Sequence, residues 1–110
     1  MVKKIMNLTP HGVALANAAG EITATLQPSG KVARMAVNRE ETGTLMGLPV
    51  STSVFGEVVG LPDPAPETIY LVSTLIAQAV RRRDVVSPDT GPSAVRKDGQ
   101  VVAVRGFQAF

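Results

Sequence analysis

Residues 68–91, TIYLVSTLIAQAVRRRDVVSPDTG, hold the pattern on which the rest of the chain depends: strand, helix, strand and polar turn. Thr68 to Val72 is an apolar, β-branched run with no polar alternation, as a strand covered on both faces requires. Ser73 follows at once. A serine there caps a helix by accepting from a backbone N–H two or three residues on, leaving other first-turn amides free to meet an anion. The spacing predicts a single main helix over about residues 73–83, beginning at Thr74. Leu75, Ile76, Ala79 and Val80 recur at helical spacing on the face that packs on a sheet, and Asp84 and Pro88 end it. Val85 and Val86 then form a second strand, which a right-handed crossover places parallel to the first. Both strands end at one edge, so Ser73 and Thr74 are expected beside Asp89, Thr90 and Gly91, in the crevice where open α/β sheets bind ligands.

Working outward, Leu61 to Pro66 carries three prolines in five residues and is a stiff connection rather than a strand. Before it, Val50 to Phe55 reads as a strand with Ser51, Thr52 and Ser53 on a polar face, continued through a bulge near Gly56 to Gly60. Asn38 to Gly43, NREETG, is the most polar segment and is expected as an exposed loop. Lys31 to Val37 alternates like a strand. Val13 to Asn17 and Ile22 to Leu26 form a hairpin, and Lys3 to Leu8 is an opening strand that turns at Thr9-Pro10-His11-Gly12. Downstream, Ser93 to Arg96 and Gln100 to Phe107 close a hairpin around Lys97-Asp98-Gly99, whose Asp-Gly is the strongest hairpin signal in the chain. The resulting expectation is one α+β domain over residues 1–110. Its sheet is mixed but mainly antiparallel, with one strand-helix-strand unit.

Composition excludes several function classes. With 110 residues and 45% hydrophobic content, the chain suits one core, small enough for self-assembly to add much of its stability. The lack of cysteine excludes a disulfide framework and thiolate metal sites, and a single histidine argues against zinc. No cofactor or metal is expected. Met1-Val2-Lys3-Lys4 lacks the apolar stretch of a signal peptide, and no run is long or apolar enough to span a bilayer, so the expectation is a soluble, cytoplasmic protein. A net charge of +2 with dispersed basic residues, and only 4% aromatics, argues against nucleic-acid binding.

The candidate chemistry is sparse. His11 is the one side chain that titrates near neutrality, and it lies close to Asn7 and Thr9. It suits phosphate contact or general acid–base work, or simply a ring that fixes a turn through the backbone. Ser73 and Thr74 suit either an ordinary cap or an anion site. Asp89 suits ribose hydroxyls. Arg34, Arg96 and Arg105 stand on predicted strands, where a guanidinium facing a groove suits phosphate and one facing water is ordinary. Arg81-Arg82-Arg83 suits the negative end of the helix dipole, or a basic patch partly neutralised by Asp84. No Walker or dinucleotide fingerprint is present.

Asn7-Leu8-Thr9-Pro10-His11, Pro28-Ser29-Gly30 with Ala33-Arg34, Gly56-Glu57-Val58 with Gly60-Leu61-Pro62, Tyr70-Leu71-Val72-Ser73, and Pro88-Asp89-Thr90-Gly91-Pro92 with Val95-Arg96 span nearly the whole chain. In these residues it resembles a group of small, mostly uncharacterised bacteriophage and bacterial proteins that open with Asn-Leu-Thr-Pro-His. The resemblance carries over no residue roles and implies only a setting. Small phage proteins without enzyme motifs often counter host defence, one class of them as sponges that enclose nucleotide-derived immune signals such as cyclic ADP-ribose isomers or cyclic dinucleotides.

The expectation is therefore a homo-oligomeric binding protein, acting in the cytoplasm of the host cell if phage-encoded, that sequesters a small anionic nucleotide-derived ligand. Asn7, Thr9, His11, Arg34, Ser73, Thr74, Asp89, Thr90 and Arg96 are its candidate contacts. The alternatives are a metal-independent phosphodiesterase or ring nuclease using His11, and a module that binds another protein in a phage.

Overall fold

The computed structural model describes residues 4–110. The readings that fall on residues 1–3, the start of the opening strand at Lys3 and the absence of a signal-peptide stretch at Met1-Val2-Lys3, lie outside the described residues.

The strand-helix-strand unit forms as its pattern requires. β6 (Thr68–Leu71) lies inside a four-stranded sheet between β1 (Lys4–Asn7) and β7 (Val85–Pro88), parallel to both, and β10 (Phe107–Gln108) pairs antiparallel with the far side of β7. An interior strand has no solvent face to satisfy, which is why its residues are uniformly apolar: Tyr70 and Leu71 are buried, as is Val72 just beyond. Ser73 caps α1 (Thr74–Val80), its hydroxyl accepting from the N–H of Ile76 at 3.5 Å. The helix packs Ile76 and Ala77 into a cluster with Tyr70, Val72, Val85, Leu8 and Ala33, and Val80 lies against it. This corrects the expected packing face, because Leu75 is 51% exposed and Ala77, not Ala79, is buried.

α1 is also shorter than the expected 73–83. Arg81 adopts a left-handed conformation and closes the helix, its N–H donating to the Ala77 carbonyl at 3.0 Å. The chain must turn here because Arg82 folds back into a two-pronged pair with Asp84 (Nε–Oδ1 2.9 Å, Nη2–Oδ2 2.6 Å) and donates to the Pro62 carbonyl at 3.1 Å. That pair fastens the proline-rich connection before β6 to the start of β7.

Three hairpins surround this sheet, and each is a separate two-stranded ribbon: β2 (Val13–Ala16) with β3 (Ile22–Leu26), β4 (Arg34–Leu45) with β5 (Leu48–Val59), and β8 (Val95–Lys97) with β9 (Gln100–Ala103). The fold is α+β with strands predominating, but no single mainly antiparallel sheet exists. The parallel pairs lie in the four-stranded sheet, and most antiparallel pairing is confined to hairpins. Gln100 to Phe107, expected as one strand, breaks after Ala103, so that its end becomes β10 on a different sheet.

The largest departure is at Asn38 to Gly43, which forms the middle of β4 and not a loop. β4 and β5 are each twelve residues long and pair from Arg34↔Val59 to Leu45↔Leu48. The reversal falls at Met46-Gly47, both at positive φ (51° and 78°), the conformation of a tight hairpin turn. Polar residues sit comfortably there because a two-stranded ribbon with water on both faces has no buried side to enforce alternation. A register shift opposite Ala36 marks the bulge expected near Gly56. The arm stretches the molecule to 50 Å in its longest dimension.

Candidate functional site

Because β1, β6 and β7 run the same way, their C-terminal ends bring Asn7, Ser73 and Ser87 to one edge of the sheet. Thr74 confirms the proximity, its hydroxyl lying 3.4 Å from the buried Ser87 hydroxyl. The candidate residues at this edge nevertheless divide between two hollows and a structural hub.

The hub is Asn7, a buried residue only 2% exposed. Its Nδ2 donates to the carbonyls of His11 and Leu26, each at 2.9 Å, and its Oδ1 accepts from the Thr9 N–H at 2.9 Å. The Thr9 hydroxyl lies 2.6 Å from the same oxygen and 3.0 Å from the His11 carbonyl. Asn7 thus stitches the end of β1 to the following turn and to β3. In this turn the backbone carbonyl of His11 is held and its exposed ring is not, contrary to the reading in which the ring fixes the turn.

The first hollow, of about 430 Å³, lies between the root of the arm and the first turn of α1. Arg34, Met35, Ala36 and Val37 form one wall, and Ser73, Leu75 and Ile76 the other. Arg34 is exposed and has no carboxylate or carbonyl partner among the described residues. The Ser73 hydroxyl accepts only the long bond from Ile76, so its hydrogen remains free to donate. A seven-residue helix contributes little dipole, so the charge offered to a ligand here is that of Arg34. Met35, Val37 and half-exposed Leu75 supply apolar walls.

The second hollow, of about 200 Å³, is lined by Gly12, Val13, Ala14, Pro88, Thr90 and residues 101–104. Thr90 belongs to it, not to the hollow that holds Ser73. The turn leading there is internally satisfied. Asp89 Oδ1 accepts from the Gly91 N–H at 3.0 Å, and the Asp89 N–H donates to the Gly106 carbonyl at 3.0 Å. Arg96 spends its guanidinium on the Thr90 and Gly91 carbonyls, at 2.7 and 3.0 Å. Arg105 is a second latch, donating to the Asn17 and Ser93 carbonyls.

Of the nine candidates, then, the fold brings Arg34 and Ser73 together, with Thr74 next to them and turned toward Ser87. Asp89, Thr90 and Arg96 form their own cluster, Asn7 and Thr9 serve the hub, and His11 lines neither hollow. Met35 and Val37 were expected only as members of the alternating strand Lys31 to Val37, and Leu75 as a residue packed on the sheet, so none of the three stood among the candidate contacts. Among the described residues the clearly perturbed ionisable groups are Arg82 and Asp84, beyond the end of α1 and outside the first hollow's lining. The hydrogen-bonded Arg82 guanidinium holds the Asp84 carboxyl below its ordinary range, with burial opposing. Among the described residues no three potential metal ligands cluster, and no helix is long and apolar enough to cross a membrane. No family model, curated protein or solved structure matches the chain.

Proposed function

We propose that this chain is a homo-oligomeric binding protein that sequesters a small, anionic, nucleotide-derived ligand, of the cyclic or ADP-ribose-like kind used as immune signals, in the cytoplasm of a phage's host. The reading is supported chiefly by one observation: the unpaired guanidinium of Arg34 and the free hydroxyl of Ser73 share the wall of a 430 Å³ hollow with apolar side chains. That volume is within the usual range for small-molecule sites, which combine mainly apolar walls with a few convergent polar groups. A phosphate takes the planar fork of Arg34 and the Ser73 hydroxyl. Met35, Val37 and Leu75 take the flat face of a base. Asp89, Thr90 and Arg96 are assigned to shaping the neighbouring turn, and Asn7 and Thr9 to supporting the edge.

Calorimetric titration with a panel of adenine nucleotides, ADP-ribose isomers and cyclic dinucleotides tests this reading. Binding that is lost in Arg34→Glu, with the ligand recovered intact after the protein is denatured, is the expected result. Absence of heat and of thermal shift with every member of the panel removes the proposal. Recovery of cleaved ligand only, abolished by His11→Ala, would replace it with the phosphodiesterase reading.

A further inference from the structure

The β4–β5 arm has two open edges, and they differ in chemistry. The middle of β4 carries Arg39, Glu40 and Glu41, and charges along an edge discourage pairing with another strand. From Val50 to Gly56, beyond Pro49, whose missing N–H ends the pairing edge on the turn side, β5 carries no charge, every one of these residues is exposed, and among the described residues the strand is hydrogen-bonded to β4 alone. A long, uncharged, exposed edge strand is a template for a further strand.

Its sequence says which strand. Val50-Ser51-Thr52-Ser53-Val54 reads the same in both directions. In a two-fold contact residue i meets j and j meets i, so an antiparallel pair centred on Thr52 sets Thr52 against Thr52, Ser51 against Ser53 and Val50 against Val54. Leu48, Val50, Thr52 and Val54 share one face by their spacing of two, and Leu45, opposite Leu48, joins them. The pairing therefore matches apolar with apolar and hydroxyl with hydroxyl, and such cross-strand pairs stabilise a sheet. A two-stranded ribbon alone is marginal in water, and a third and fourth strand remove that weakness.

We infer that β5 pairs with β5 of a second copy about a two-fold axis at Thr52, forming a four-stranded sheet in the order β4-β5-β5-β4 across a dimer. This names the surface for the self-association in the function proposed above, but it stands on the arm and not on the hollow. A monomer that binds nucleotide removes the interface and leaves the hollow, and a dimer that binds nothing does the reverse.

Charge at the axis provides the test. Thr52→Lys and Thr52→Glu each place like charges opposite one another, so each variant alone is expected to sediment as a monomer with unchanged circular dichroism. Their equimolar mixture is expected to regain a dimer holding one copy of each by native mass spectrometry. Because the chain has no cysteine, Thr52→Cys gives a second and independent readout. It cross-links to itself under mild oxidation, whereas Glu40→Cys, across the arm on the far strand, lies about 14 Å from its counterpart and does not. A wild-type monomer at high micromolar concentration overturns the inference. So does a dimer untouched by both charge variants, or cross-linking of Glu40→Cys equal to that of Thr52→Cys.

Discussion

Asn7 Nδ2 donates at 2.9 Å to the carbonyl of Leu26, nineteen residues further along the chain, and at the same distance to the carbonyl of His11. One buried amide thereby joins the end of β1, the turn after it and the end of β3. Replacing it by alanine leaves the Leu26 carbonyl and the Thr9 N–H without their partner, and Asn7→Ala is expected to cost about 2–4 kcal/mol. His11→Ala, which keeps the backbone carbonyl in place, is expected to change stability by under about 0.5 kcal/mol. Urea denaturation of both variants checks the contrast. Equal losses would mean that the imidazole ring carries the turn.

Arg34 and Arg96 are predicted to separate binding from structure. Arg34 has no hydrogen-bond or ion-pair partner among the described residues, so Arg34→Ala should leave the melting temperature nearly unchanged. It should weaken binding of an anionic nucleotide by at least tenfold, the loss of a charge-assisted contact of about 1.5–3 kcal/mol. Arg96→Ala frees the Thr90 and Gly91 carbonyls and should lower stability by about 1–2 kcal/mol. Its effect on titration into the first hollow should be slight, since it does not line that hollow.

The Arg82–Asp84 pair sets an acid-side dependence. The folded-state pKa of Asp84 is depressed below its ordinary value of 3.8, so the pair's contribution is fully present above that value and is lost as pH falls through the folded pKa. Asp84→Asn should therefore be less stable than wild type at neutral pH. The gap between their melting temperatures should close progressively below about pH 4. A gap that stays constant down to pH 2 would place the contribution in packing rather than charge.

Gly60 and Gly99 have similar positive φ values, 81° and 79°, but different surroundings. A Cβ at Gly60 would stand 2.6 Å from the Val32 carbonyl oxygen, whereas at Gly99 nothing lies within 4 Å. Gly99→Ala should cost only the left-handed backbone penalty of about 1–2 kcal/mol. Gly60→Ala should cost clearly more, because the connection from the arm to Leu61 must also shift. Thermal unfolding of the two variants compares them directly.

The strand-helix-strand unit was legible because its causes are local: an apolar β-branched run, a serine cap and a helical period each act within a few residues. The hairpins with Ala18 to Glu21 and Asp98-Gly99 at their turns were legible for the same reason. Asn38 to Gly43 was not. Its polarity says that it meets water, and both a loop and an exposed ribbon satisfy that, so the decision passed to the turn at Met46-Gly47 further along. The helix end was misplaced because Arg82 leaves the helix for Asp84 and Pro62, and the second of these partners is twenty residues away.

Sequence alone determined that residues 68–88 make parallel strands joined by a capped helix, since hydrophobic period and capping chemistry are properties of neighbouring residues. It also contained the uncharged, palindromic strand of the arm. Tertiary structure alone decided that Arg34 lines one hollow with Ser73, while Thr90 lines a different one and Arg96 is spent on the Thr90 carbonyl. It likewise decided that Asn7 serves the fold and not the cleft. Which donors remain free for a ligand depends on which carbonyls the folded chain leaves unpaired nearby, and those carbonyls come from segments far apart in sequence.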